Sequence, residues 1–89
     1  MVKMQAEPYQ TFQEKLQAFD PGDYILESPE KLYKLPRDTW ICLEDSSKVQ
    51  AEFFFFSHID GMYSVCYDLQ GNLVHLMCAT VVSPMRKAG

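Results

Sequence analysis

The spacing of apolar positions changes partway along this chain. Tyr9, Phe12, Leu16 and Phe19 recur at intervals of three and four, with Gln10, Gln13, Glu14, Lys15 and Gln17 between them. That is the stripe of an amphipathic helix. Pro8 suits a first helical turn. Asp20-Pro21-Gly22 stops the helix, because proline cannot continue it and disfavours helical geometry in the residue before. The spacing predicts one helix over residues 8–19. After Gly22 the period shortens. Residues 23–27 (Asp-Tyr-Ile-Leu-Glu) and 39–44 (Thr-Trp-Ile-Cys-Leu-Glu) read as strands, with a weakly alternating segment at 31–35 between Ser28-Pro29 and Pro36-Arg37-Asp38.

Residues 49–82 organise the rest. Three apolar runs are separated by Asp60-Gly61 and Gln70-Gly71, which predicts a three-stranded antiparallel meander. Asp60-Gly61 fits a type I′ hairpin turn, with positive φ at both central residues. Residues 45–48 form a polar turn into the meander, and Ser83-Pro84 ends it. Phe53, Phe54, Phe55 and Phe56 follow one another, so alternate rings point to opposite faces of a strand. A sheet with one wet face would not carry that run. The core then covers one face and the helix part of the other, or a partner covers the second face.

The predicted fold is α+β: an N-terminal amphipathic helix on a curved antiparallel sheet, or small partly open barrel, of about five strands. The expected core is Phe12, Leu16, Phe19, Ile25, Ile41, Leu43, Phe53, Phe55, Val65, Tyr67, Leu69, Val74, Leu76 and Cys78. Residues 1–7 and 85–89 read as tails around a single domain over 8–84. Pro21-Gly-Asp-Tyr-Ile-Leu26, followed by strands and a final Ala79-Thr-Val-Val-Ser-Pro84, resembles the layout of SH3-like barrels. The acidic-aromatic opening motif of an SH3 domain is missing, and Trp40 is the only tryptophan where that family has a pair. No ligand-binding residue is therefore carried across.

Composition narrows the function classes. A chain of 89 residues builds one small core. The net charge of −4 works against non-specific binding to nucleic acid or anionic lipid, which need a positive field. No apolar run approaches a membrane span, and the N-terminus lacks the apolar stretch of a signal peptide. Cys42, Cys66 and Cys78 all sit in apolar runs, as reduced core thiols of a cytoplasmic protein would.

Candidate chemistry is sparse. His75 and Cys78 are three apart, so on a strand they face opposite sides and cannot chelate together. Strand parity puts His58 on the Phe54 and Phe56 face, and His75 with Leu73 and Met77. No glycine-flanked nucleophile or glycine-rich phosphate loop is present. Asp60 and Asp68 read as turn residues. No cofactor, metal site or enzymatic activity is expected. The leading expectation is a small protein-interaction module, of adaptor or inhibitor type. It would bind a larger protein or a second copy through an edge strand or exposed aromatics, namely Tyr24, Tyr33, Trp40 and Tyr63. The alternative is a nucleic-acid-binding barrel using Lys31, Lys34, Arg37 and Trp40, with Arg86 and Lys87 as an outlying pair.

Overall fold

A computed structural model describes residues 8–44 and 51–88. It is a small, mostly β domain: a seven-stranded antiparallel sheet, not closed, plus a short helix. The expected tail at 1–7, the polar turn at 45–48 and Gly89 lie outside the described residues. No helix among the described residues is long and apolar enough to cross a membrane.

The helix α1 runs Pro8–Gln17. Asp20 then accepts a hydrogen bond from the Gly22 N–H at 2.9 Å and starts a 3-10 turn, Pro21–Asp23. The strands follow as β1 (Tyr24–Leu26), β2 (Glu30–Lys31), β3 (Thr39–Leu43), β4 (Glu52–Asp60), β5 (Tyr63–Tyr67), β6 (Leu73–Met77) and β7 (Val81–Lys87). Their order across the sheet is β1-β7-β3-β4-β5-β6, with β2 also on β7. The meander β4-β5-β6 is thus present, and β3 and β7 extend it.

Chain connectivity forces this sheet to curl. In that order β6 and β7 are four strand spacings of about 4.8 Å apart. Yet only Cys78, Ala79 and Thr80 join them, a reach of at most about 14 Å. The concave side therefore encloses one cluster drawn from distant strands: Leu32, Ile41, Phe54, Phe56, Cys66 and Val82, with Val74 and Leu76 against it. The convex side holds a second cluster, Leu16, Trp40, Cys42, Phe55 and Met85, joined by Phe12, Phe19, Phe53 and Tyr67. Alternate rings of the phenylalanine run thus enter two separate cores. Fully burying one such ring contributes about 1.5–3 kcal/mol, so the strand is anchored from both sides.

Four sequence expectations need correction. Ile25 is not core; it stands opposite Arg86 at the sheet margin and is 44% exposed. The segment after Lys31 is a 3-10 turn, Leu32–Lys34, and it drops Leu32 fully into the concave cluster. Ser83-Pro84 does not end the last strand, and Met85 is no tail residue, since β7 continues to Lys87. Proline is tolerated there because Pro84 directs its carbonyl to the Glu27 N–H at 2.8 Å. Its missing N–H falls in the gap between β1 and β2. Finally, Asp60 pairs with Tyr63, so the hairpin loop is Gly61-Met62. Among the described residues only glycine has positive φ in that turn (Gly61, 66°), which suits type II′ rather than I′.

Candidate functional site

The residues singled out from the sequence divide by exposure. Trp40 is only 7% exposed and stacks on Phe19, ring centroids 4.0 Å apart, so it is not a surface aromatic. Burial follows from register: Trp40 lies between Phe55 and Met85 on neighbouring strands, under Phe19. Tyr24 is half-buried beside it. Tyr33 and Tyr63, by contrast, are half-exposed and meet around one backbone junction. The Cys78 N–H donates to the Met62 carbonyl at 2.9 Å, and the Cys78 carbonyl accepts from the Tyr33 N–H at 3.0 Å. Met62 is 68% exposed and Met77, paired with Tyr63, is 51% exposed. Tyr33, Met62, Tyr63 and Met77 thus gather at one end of the sheet.

Strand β6 continues that surface. Val74 and Leu76 face the concave core, so Leu73, His75 and Met77 line the convex side, with Leu73 55% exposed. Sequence reasoning did not single out Leu73, Met62 and Met77 as surface residues. The signal was available: once Val74 and Leu76 are assigned inward, alternation turns Leu73 and Met77 outward. β6 pairs with β5 alone and ends the sheet. Its hydrogen-bonding parity is fixed at both ends. The Asp68 N–H donates to the Asn72 carbonyl and the Cys78 N–H to the Met62 carbonyl, so even-numbered residues of β6 bond to β5. The odd-numbered residues, Leu73, His75 and Met77, direct their backbone groups to the open edge. Of these, the Met77 carbonyl is taken by the Thr80 N–H at 2.9 Å.

The basic residues do not assemble into a patch. Lys34 lies 4.0 Å from Glu30, and Arg86 is paired with Glu27 at 3.0 Å. Arg37 is exposed on the connection into β3, Lys31 on β2 stands opposite Val81, and Trp40 is buried. Lys87 does meet Trp40: both line a cleft of about 380 Å³ with Lys15, Tyr24 and Asp38, which Lys31 and Lys34 do not line. A neighbouring cleft of about 420 Å³ shares Lys15, Asp38 and Phe55, and the Lys15 ammonium lies 4.9 Å above the Phe55 ring.

The thiols and imidazoles are set apart. Burial pushes the Cys66 thiol up from its ordinary value, outweighing the opposing effect of its hydrogen bond with Ser64. The Ser64 hydroxyl, itself buried, lies 3.3 Å from that sulfur and donates to the Leu76 carbonyl at 2.9 Å. Burial, then the charge of Glu44, pushes Cys42 up as well. Raised thiols are weak nucleophiles. His58 does not share the Phe56 face as strand parity implied. A bulge between Phe56 and His58 shifts the register, and His58 pairs with Val65, whose other neighbour is His75. His58 Nδ1 is 2.9 Å from the Ser57 hydroxyl. No group of three or more potential metal ligands occurs among the described residues.

Compared with models of protein families, with curated proteins and with solved structures, the chain matches none.

Proposed function

We propose that this chain is a small non-enzymatic interaction module, of adaptor or inhibitor type, that binds protein through the β6 margin and the apolar end beside it. One observation carries this reading. A five-residue strand whose outward backbone groups, apart from the Met77 carbonyl, have no partner among the described residues, and which exposes Leu73 and Met77, adjoins half-exposed Tyr33, Tyr63 and exposed Met62. Open edges pair with strands, and apolar patches give such pairing its specificity. Burial of Cys42 and Cys66 disfavours them as nucleophiles, and the carboxylate partners of Lys34 and Arg86 weaken the nucleic-acid alternative. The order β7-β3-β4-β5-β6 supports the finer view that the curled sheet is a partly open, SH3-like barrel capped by the helix. Three free cysteines support a reducing, cytoplasmic setting.

The test is retention of protein by the immobilised chain, compared with a Tyr63→Lys/Met77→Lys variant of matched thermal stability. Retention by the parent and loss in the variant is the expected result. Equal retention by both overturns the reading. So does salt-sensitive retention of single-stranded oligonucleotide that vanishes in Lys31→Glu/Lys34→Glu, which transfers the function to the alternative.

A further inference from the structure

The open edge constrains what can fill it. Its backbone groups call for an extended strand, and its side chains are Leu73, His75 and Met77. It carries no charge, proline or bulge, the features that keep exposed edges from pairing. From Leu69 to Met85 the chain has no Asp, Glu, Lys or Arg, although the whole carries a net charge of −4; the acids nearest the strand are Asp68, bonded to Asn72 before it, and Asp60, paired with Tyr63. The strand itself therefore brings no like charges together when two copies meet along it, and nothing on it selects a charged foreign strand.

The strand is also complementary to itself. Outward-directed groups pair only with outward-directed groups, so an antiparallel partner must oppose odd-numbered residues to odd-numbered residues. Of the registers that meet this condition, the one centred on His75 engages the full strand. His75 exchanges both backbone hydrogen bonds with its own copy. The Met77 N–H reaches the Leu73 carbonyl across the axis. The Met77 carbonyl, already bonded to Thr80, is shared with the opposing Leu73 N–H. On the convex face each Leu73 side chain then covers a Met77 side chain of the other copy, the two large apolar groups left most open on β6.

We propose that β6 pairs with β6 of a second copy about a two-fold axis through His75, joining two curled sheets into one continuous sheet. This deepens the interaction-module reading and rests on it: the occupant of the margin is the chain itself. An isologous contact of this kind closes at a dimer and leaves no further edge of the same type.

The experiment is sedimentation of the intact chain over a concentration series, together with Leu73→Lys and Met77→Glu. A concentration-dependent dimer is expected. Each single variant weakens it by about tenfold or more, because a charge is buried against an apolar side chain. An equimolar mixture of the two recovers association, since the introduced ammonium of one copy then faces the introduced carboxylate of the other. Far-ultraviolet dichroism and thermal midpoint check that both variants fold. A readout with neutral side chains accompanies it: in a Cys78→Ala background, mild oxidation cross-links a Leu73→Cys chain to a Met77→Cys chain faster than either to itself. A monomer at all concentrations overturns the proposal. If that monomer still loses another protein's binding on Met77→Lys, the interaction-module reading survives; if it retains no protein, both fall. A dimer unaffected by both charge variants, or cross-linked only in another register, also overturns the proposal.

Discussion

Two margins of one sheet, both with exposed apolar side chains, are built differently. At one end β1 and β2 lie along β7, where Ile25 and Leu26 are exposed. At the other end β6 exposes Leu73 and Met77. The first margin is broken into three and two residues by Glu27, Ser28 and Pro29, and ion pairs Glu27–Arg86 and Glu30–Lys34 flank the break. A strand laid along it would lose ladder bonds at the break and meet charge there. The second margin runs five residues without interruption or charge. Apolar exposure is thus not what separates them; the continuity of unpaired backbone is.

The largest test removes what both margins rest on. Phe56 is buried in the concave cluster that also holds Leu32, beside β2, and Val74 and Leu76 of β6. Phe56→Ala is expected to cost about 3–5 kcal/mol in denaturant unfolding, because a cavity is left in a curled sheet that cannot collapse onto it. Leu32→Ala, at about 2–5 kcal/mol, should instead raise amide exchange along β2 and its 3-10 turn more than along β6. Equal loosening of both margins would show that they share one cooperative unit.

A second test converts one margin into the other. Pro29→Thr with Glu30→Thr restores one backbone donor and removes a charge where the β1–β2 ladder breaks. The expected outcome is new association, seen as species larger than the parent's in sedimentation, with stability changed by no more than about 1 kcal/mol. No change in size would mean that side chains, not continuity, protect that margin.

The smallest effect concerns the turn that leads into β6. Partial desolvation pushes the Asp68 carboxyl up. Hydrogen bonds from the N–H groups of Asn72, Gln70 and Gly71 and from the Asn72 side chain outweigh this and hold it below the usual carboxylate range. A group lowered in the folded state stabilises above its unfolded value, about 3.9, and loses that contribution as pH falls through the folded value. Asp68→Ala is expected to cost about 1 kcal/mol at neutral pH. It should also flatten acid unfolding below about pH 4, as followed by dichroism. An unchanged acid limb would place the acid sensitivity at other carboxylates.

The meander was legible because alternation and glycine turns are local, but of the six buried concave residues the expected core held only Ile41; Leu32, Phe54, Phe56, Cys66 and Val82 were outside it. Val74 and Leu76 share a face by parity within β6, and Gly61 marks its hairpin because that turn needs positive φ. The candidate site was half legible. Tyr33 and Tyr63 are surface residues as expected, but what brings them together is Cys78, whose N–H and carbonyl bond to residues far away in sequence. Trp40 misled because a lone tryptophan near lysines reads the same whether stacked under Phe19 or open to solvent.

By itself, the sequence determined the three runs of the meander, the glycine turns, the two-sided character of the phenylalanine run and the uncharged stretch from Leu69 to Met85. These rest on period, backbone freedom and charge, which neighbours along the chain decide. Only the tertiary structure decided that β7 runs on through Pro84, that His58 changes face at a bulge, that Leu32 is core, and that β6 is the open margin. Each depends on which strands pair and in what register. Alternation fixes sidedness only within an unbroken strand. Which strand is left without a neighbour is settled by hydrogen bonds between segments far apart in the chain.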